Sequence, residues 1–245
     1  MTQGMLTWAA GRLRQAAVDV ARLVVPVACP GCQLPDVRWC DACASLWWNA
    51  PARCDGGAPR LTGGARGLPV WSITRLGGPT HGFVTAWKDG ARRDMDAFMA
   101  QAMTRAAREI ASQLPAEVVC VPAPARAAST RARGADLPLL LARAAARGLT
   151  EAGVRAQVAP VLRHRAGESR GRSAQQRWAA TARGITLARA LPPPGAVVVV
   201  DDVLTTGATL AACRDLLQRP LQPVWAGLVL ASVDPPARKT PASLA

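Results

Sequence analysis

The chain has 245 residues and half of them are hydrophobic, which suffices for one sizeable domain with a small accessory module. A transmembrane helix is excluded, because it needs about 20 uninterrupted apolar residues and no segment approaches that length. Its formal net charge of +14 favours polyanionic partners such as nucleic acid or polyphosphates. All but two of the 30 basic residues are arginine, however, and alanine, glycine and proline are also abundant, so a GC-rich coding bias is an equally good explanation of the charge.

Residues 1–26 predict an amphipathic helix, because apolar side chains recur there at helical spacing. These side chains are Leu6, Ala9, Leu13, Ala16, Val20 and Leu23. The apolar core of a signal peptide is excluded by the charged residues Arg12, Arg14, Asp19 and Arg22. We expect this helix to pack on the domain, with a membrane surface as the alternative, and we expect the protein in the cytoplasm.

A cluster of cysteines follows in the segment CPGCQLPDVRWCDAC. Its C-x2-C-x7-C-x2-C spacing predicts two knuckles that surround one tetrahedral Zn²⁺ with the thiolates of Cys29, Cys32, Cys40 and Cys43. In a reducing compartment we expect structural zinc in a zinc-ribbon-like module over residues 27–60, with free or redox-active thiols as the alternative. Cys54, in the stretch CDGG, is typical of a further knuckle, separate from these two, that has lost its other cysteine.

Residues 55–69 are rich in glycine and proline, which predicts a linker before a larger domain over 70–234. Strand and helix patterns alternate through this domain: strands at 70–76, 116–124, 154–163, 196–201 and 223–232, and helices at 94–114, 137–149, 174–184 and 207–218. This order predicts an α/β fold with a parallel sheet flanked by helices. A disordered tail is expected over 235–245.

The predicted helix over 94–114 carries an apolar stripe that is rich in methionine. Its members share one helical face: Met95, Phe98, Met99, Ala102, Met103, Ala106 and Ile110. Such a stripe is more typical of core packing than of a cofactor site.

The stretch VVVVDDVLTTGATL, at 197–210, carries the strongest functional signal. Four consecutive valines predict a central parallel strand, and ligands of such sheets bind beyond the carboxyl ends of the strands, where Asp201 and Asp202 lie. Adjacent carboxylates repel, so they favour a partner such as the vicinal hydroxyls of a ribose. Gly207 permits close backbone approach, and the helix start with its threonines favours a phosphate. A ribose 5-phosphate fits this pattern; the alternative is that an Asp and a Thr merely cap a helix.

The same stretch resembles the PRPP-binding signature of type I phosphoribosyltransferases (PRPP is 5-phosphoribosyl 1-diphosphate). The chain as a whole resembles the ComF family over roughly residues 20–232. Besides the signature, the resemblance rests on the cysteine module after VVPVACPGC and on the blocks AWKDGARRD, VCVPAPARAASTRARGAD and QQRWAATARG. Pro122, Pro124, Arg133 and Gly134 hold the places of that family's Pro-Val-Pro and Arg-Gly blocks. Gln175 and Arg183 match a further motif, whereas Thr186 replaces its Asn.

The resemblance implies the type I phosphoribosyltransferase fold and a division of the PRPP site. Asp201 and Asp202 would take the ribose hydroxyls, and the residues after them the 5′-phosphate: Leu204, Thr205, Thr206, Gly207, Ala208 and Thr209. The pyrophosphate loop would comprise Pro122, Ala123, Pro124, Ala125 and Arg126. A mobile loop over the leaving group would carry Arg163, Arg165, Arg170, Arg172, Gln175 and Arg177, with a solvated basic loop as the alternative.

The chemistry implied by the resemblance is displacement at the anomeric carbon of PRPP, with pyrophosphate leaving and Mg²⁺ bridging the sugar and the leaving group. The acceptor is not specified. We assign no catalytic residue, because nothing pairs His81 or His164 with a nucleophile. The alternative function is a non-catalytic factor in DNA uptake, competence or DNA processing that uses the same fold, with single-stranded DNA or DNA-uptake and recombination proteins as its partners.

Overall fold

The computed structural model describes residues 27–62, 67–90, 92–164, 184–193 and 195–233. The predicted N-terminal helix, the C-terminal tail and most of the predicted arginine-rich loop and the helix after it lie outside these residues. Within them, no helix has the length and apolar character that crossing a membrane requires.

The fold is mixed α/β and is built on one six-stranded sheet, whose strand order is β1-β2-β8-β7-β3-β4. All neighbours in this sheet are parallel except β1, which runs antiparallel to β2, so the predicted parallel sheet is confirmed. A separate two-stranded antiparallel sheet pairs β5 with β6. The strands are β1 Ala52–Arg53, β2 Val70–Arg75, β3 Glu117–Pro122, β4 Arg155–Val158, β5 Leu162–His164, β6 Ile185–Leu187, β7 Ala196–Leu204 and β8 Val224–Ser232.

Helices cover both faces of the large sheet. Those that the structure describes are α1 Asp41–Ser45, α2 Pro59–Thr62, α3 Pro79–Lys88, α4 Asp96–Ile110, α5 Ala127–Arg133, α6 Leu137–Glu151 and α7 Ala208–Leu217. One hydrophobic core lies under α3, α4 and α6, and a second lies under α2 and α7 on the opposite face.

Strand β7 runs through the middle of the sheet, and its four consecutive valines, 197–200, are fully buried. Val198 and Val200 belong to the core under α3, α4 and α6, whereas Val197 and Val199 belong to the core on the other face. Alternate side chains of a strand point to opposite faces, so a sheet covered on both sides requires this unbroken apolar run. The apolar run then ends at Asp201, although the strand itself continues to Leu204.

The methionine-rich stripe of α4 is a packing surface, as predicted, because all of its members are buried in one core. This helix lies directly against α6. A Cβ on Gly148 of α6 would lie 2.0 Å from the Thr104 carbonyl oxygen, so only glycine permits the approach. The Thr104 hydroxyl also donates to the Ala144 carbonyl oxygen at 3.1 Å.

Two predictions about elements are wrong. Residues 154–163 do not form one strand: β4 joins the large sheet and ends at Val158, and β5 begins at Leu162 in the small sheet. The segment 55–69 is not a linker in the part that the structure describes, because Leu61 and Leu68 are buried in the core under α7. The sequence did not indicate this packing because the two leucines are isolated among glycines and prolines and form no periodic apolar pattern.

Residues 27–60, predicted as a zinc-ribbon-like module, are joined to the main domain. Cys29, Cys43 and Trp47 share a core with α3 and α4, and β1 extends the large sheet. The Trp47 ring lies 5.7 Å from the Phe83 ring of α3, measured between centroids. The cysteines are therefore anchored by the same core that supports the sheet.

Candidate functional site

A cavity of about 430 Å³ opens at the carboxyl ends of β3 and β7. Its wall is formed by the loop after β3, the end of β7, the start of α7, the last turns of α3, parts of α5 and His164 of β5. Asp201 and Asp202 both line it, as the sequence predicts for a ligand site in a parallel sheet. The volume lies within the range of small-molecule sites.

Asp202 is compensated by a lysine from a distant part of the chain. The Lys88 ammonium lies 2.8 Å from each of the two carboxylate oxygens of Asp202. The Asp202 side chain is only 10% exposed and that of Lys88 25%, so the pair is shielded from water. A shielded charge of this kind is tolerated because its partner also donates a charge-assisted hydrogen bond.

Asp201 is stabilised differently, although it is adjacent in sequence. Its carboxylate accepts a hydrogen bond from the Asp202 backbone N–H at 2.8 Å. Burial first, and then the negative charge of Asp202, raise the pKa of Asp201 to about 8, against the opposing effects of that N–H and of Lys88. The two carboxylates therefore avoid mutual repulsion: one pairs with a cation and the other retains its proton near neutral pH.

The backbone at Lys88 is also fixed. Arg133, at the end of α5, donates from its Nε to the Lys88 carbonyl oxygen at 2.6 Å. Its guanidinium also lies 3.5 Å from a carboxylate oxygen of Asp89. Lys88, Asp89 and Arg133 all line the cavity, so this end of α3 forms one of its walls.

The predicted phosphate-binding turn lies at the start of α7. Gly207 is the N-cap, with φ of 76°, and a Cβ on it would lie 2.7 Å from Leu61 Cγ, so both conformation and space require glycine. Thr205 and Thr209 line the cavity. Thr206 does not; its hydroxyl accepts from the Ala208 N–H at 3.4 Å.

Leu204 and Ala208 complete the predicted set without lining the cavity. Leu204 is buried in the core under α7, where it supports the turn from behind. Ala208 is the first residue of α7. The set thus divides into cavity-lining residues and residues that shape the turn.

The predicted pyrophosphate loop borders the same cavity as that turn. Its residues Ala123 to Arg126 line the cavity, whereas Pro122 ends β3 and pairs with Val200. The Ala123 N–H donates to the Val200 carbonyl oxygen at 2.8 Å, which ties the start of the loop to β7.

The predicted mobile loop is described only at its beginning. Arg163 is exposed on β5 and does not line the cavity. Arg165, Arg170, Arg172, Gln175 and Arg177 lie outside the described residues.

Sequence reasoning missed several residues that line the cavity, above all Lys88, His81 and His164. Burial and the nearby Arg126 charge lower the pKa of His164, against the effect of its hydrogen bond with the Pro124 backbone, which favours the neutral imidazole. One signal did point to Lys88: it is a lysine in a chain whose cations are nearly all arginine.

The four predicted cysteine ligands form a compact cluster outside the cavity. Their sulfur atoms all lie within 4.8 Å of one another, and Cys40 Sγ is 3.8 Å from Cys29 Sγ and 3.6 Å from Cys32 Sγ. Zn–S bonds of about 2.3 Å in a tetrahedron require sulfur separations of about 3.8 Å. Cys29, Cys32, Cys40 and Cys43 could therefore hold a structural metal such as zinc.

The environment of the cluster fits thiolate ligands. Burial acts to raise the pKa of Cys29, but the backbone N–H groups of Cys40, Cys32 and Gly31 lower it to about 6. The pKa of Cys43 is instead raised, by burial and by the neighbouring cysteine thiols, so that thiol is charged only when a cation compensates it. A Cβ on Gly31 would lie 2.8 Å from Cys43 Sγ, so glycine is required beside the sulfur atoms. Cys54 lies apart, where its thiol donates to the Val70 carbonyl oxygen at 3.4 Å.

Neither a protein-family model nor a curated protein matches this chain. Three chemical features of the cavity bear on what it could bind: the carboxylate pair, the turn before α7 and the cationic side chains Lys88, Arg126 and Arg133.

The raised pKa of Asp201 predicts a specific pH dependence of stability. The unfolded chain releases this proton near the ordinary value of 3.8 and the folded chain near 8, so stability is lost as pH rises through that window. Asp201→Asn stays neutral and should lose less stability between about pH 5 and pH 8. Urea unfolding at both values measures this, with the exposed Asp215→Asn as the matched control. Parallel losses in Asp201→Asn and wild type would contradict the assignment.

Proposed function

We propose that the cavity binds PRPP with Mg²⁺, and that the protein is a phosphoribosyltransferase-like protein of the ComF type. The observation that carries the proposal is the pair Asp201 and Asp202 in a cavity at the carboxyl end of the central strand. Ribose offers two adjacent hydroxyls as donors to such a pair. Carboxylates are also among the ligands that Mg²⁺ accepts, so a sugar–metal complex suits them.

The two sides of the cavity suit the two phosphorylated ends of PRPP. The start of α7 presents backbone N–H groups with Thr205 and Thr209, which favours the 5′-phosphate. The loop Ala123 to Arg126 lies on the other side, and Arg126 lines the cavity with Lys88 and Arg133. Cationic side chains there favour the pyrophosphate.

The proposed reaction is a displacement at the anomeric carbon. The lone pair of an acceptor atom forms the new bond to that carbon, while the carbon–oxygen bond to pyrophosphate breaks and its electron pair leaves with the pyrophosphate. Mg²⁺ would supply charge neutralisation on the leaving group. The residues of this chain would hold the sugar and the two phosphorylated groups, and a covalent nucleophile is not needed.

Calorimetric titration of PRPP in the presence of Mg²⁺ tests the proposal. We expect saturable binding by wild type and by Asp215→Asn, and loss of binding in the double variant Asp201→Asn, Asp202→Asn. The double variant keeps side-chain size while removing the charge of Asp202 and the ability of Asp201 to ionise when a ligand binds. A wild type that shows no heat of binding would contradict the proposal.

A pyrophosphate-release assay over a panel of bases and amines then separates the two functions left open by the sequence. Release with one acceptor supports transfer of the phosphoribosyl group. PRPP binding without release across the panel favours the alternative, a ligand-binding factor in DNA uptake, competence or DNA processing.

We also propose that the cysteine cluster holds one structural Zn²⁺. Elemental analysis of untagged protein should find about one zinc per chain, the stoichiometry of a four-thiolate site. Cys32→Ser should lose the metal, whereas Cys54→Ser, which lies outside the cluster, should retain it. Because the cluster shares the main core, Cys32→Ser should also lower the melting temperature of the whole domain. Wild-type protein without stoichiometric zinc would contradict this assignment.

A further inference from the structure

Helix α3 lies between the cysteine cluster and the cavity, and it touches the cluster without any intervening side chain. A Cβ on Gly82 would lie only 2.0 Å from the Pro30 carbonyl oxygen, in the first knuckle. A Cβ on Gly31 of that knuckle would lie 3.0 Å from Pro79 Cβ, at the start of α3. The knuckle and the helix are therefore in direct backbone contact, and neither can shift independently of the other.

The other end of the same helix reaches the cavity. Lys88 is six residues beyond Gly82, or about 9 Å along a helix axis, and its ammonium contacts Asp202 at 2.8 Å. Arg133 holds the Lys88 carbonyl oxygen from the far side at 2.6 Å. One rigid helix therefore connects the cluster to the cation that neutralises the carboxylate pair.

The sides of α3 are packed as tightly as its ends. Phe83 and Trp87 are fully buried. The Phe83 ring lies 5.7 Å from the Trp47 ring and 5.8 Å from the Phe98 ring, between centroids. Trp87 also donates from its indole N–H to Asp96 at 2.7 Å. A displacement of the knuckle would therefore move the helix as a body rather than bend it.

We propose that the cysteine cluster, with its metal, holds α3 in place and thereby positions the Lys88 side chain in the cavity. Lys88 is then the positioning residue for Asp202 and a cation for the phosphorylated ligand. The metal supports ligand binding although none of its cysteines lines the cavity. The identity of the ligand rests on the proposed function above, whereas the coupling between cluster and Lys88 does not.

The chain offers a ligand-independent measure of this coupling. Lys88 and Lys239 are its only lysines, so lysine labelled with ¹³C at Cε gives two signals, and Lys88→Arg identifies the one from Lys88. The matched test variants are Gly82→Ala, whose Cβ would strike the knuckle, and Gly77→Ala, whose Cβ would meet nothing within 4 Å. Neither variant alters a cysteine or a cavity residue.

We expect Gly82→Ala to shift the Lys88 signal and to weaken PRPP·Mg²⁺ binding about tenfold, the effect of losing one hydrogen bond to a charged group. Gly77→Ala should leave both unchanged, and both variants should keep their zinc. Removing the metal from wild type with a chelator should shift the same signal and weaken binding. Lys88→Met should weaken binding with zinc content unchanged.

The coupling is refuted if the Lys88 signal stays in place both in Gly82→Ala and in metal-free wild type. The role of Lys88 as a cation for the ligand is refuted if Lys88→Met binds PRPP as tightly as wild type or more tightly. Should Gly82→Ala not fold, the chelated wild type supplies the same two readings. A wild type that does not bind PRPP overturns the proposed function alone, because the Lys88 signal still reports whether the cluster positions it.

Discussion

The structure depends on how two adjacent carboxylates are accommodated near the carboxyl end of a central strand that is buried on both faces. Strand β7 is covered on both faces up to Val200, and the next two residues are aspartates. Leaving both charged and unpaired there would cost several kcal/mol, because buried charges lose their hydration. The fold avoids this cost in two ways: the Lys88 ammonium pairs with the Asp202 carboxylate, and the pKa of Asp201 is raised so that it keeps its proton.

This solution leaves the pair available to a ligand. A neutral Asp201 presents a carboxyl that releases its proton when a cation or hydroxyl donors replace it, and Lys88 can remain as a counter-ion for phosphate. Thr205 and Thr209 beside the turn before α7, and the loop after β3, line the same cavity as the pair. In the proposed function, binding, orientation and charge neutralisation would therefore all involve the carboxyl end of one strand.

Patterns that are local in sequence predicted much of the fold and the site. The valine run, the methionine face of α4 and the paired cysteine knuckles each occupy one short segment, so their spacing alone determines what they form. The contact between Lys88 and Asp202 joins residues 114 positions apart, and no local pattern encodes it. The break between β4 and β5 falls at Pro160, a residue that interrupts a strand ladder, and it was missed because 154–163 was taken as one strand; the structure shows that the two halves pair in different sheets.

A crystal structure of the chain with PRPP and Mg²⁺ tests the central claim most directly. The account predicts ribose hydroxyls within hydrogen-bond distance of Asp201 and Asp202, the 5′-phosphate at the first turn of α7 and the pyrophosphate beside Ala123 to Arg126. PRPP bound elsewhere, or an empty cavity at saturating PRPP with Lys88 still paired to Asp202, would contradict it.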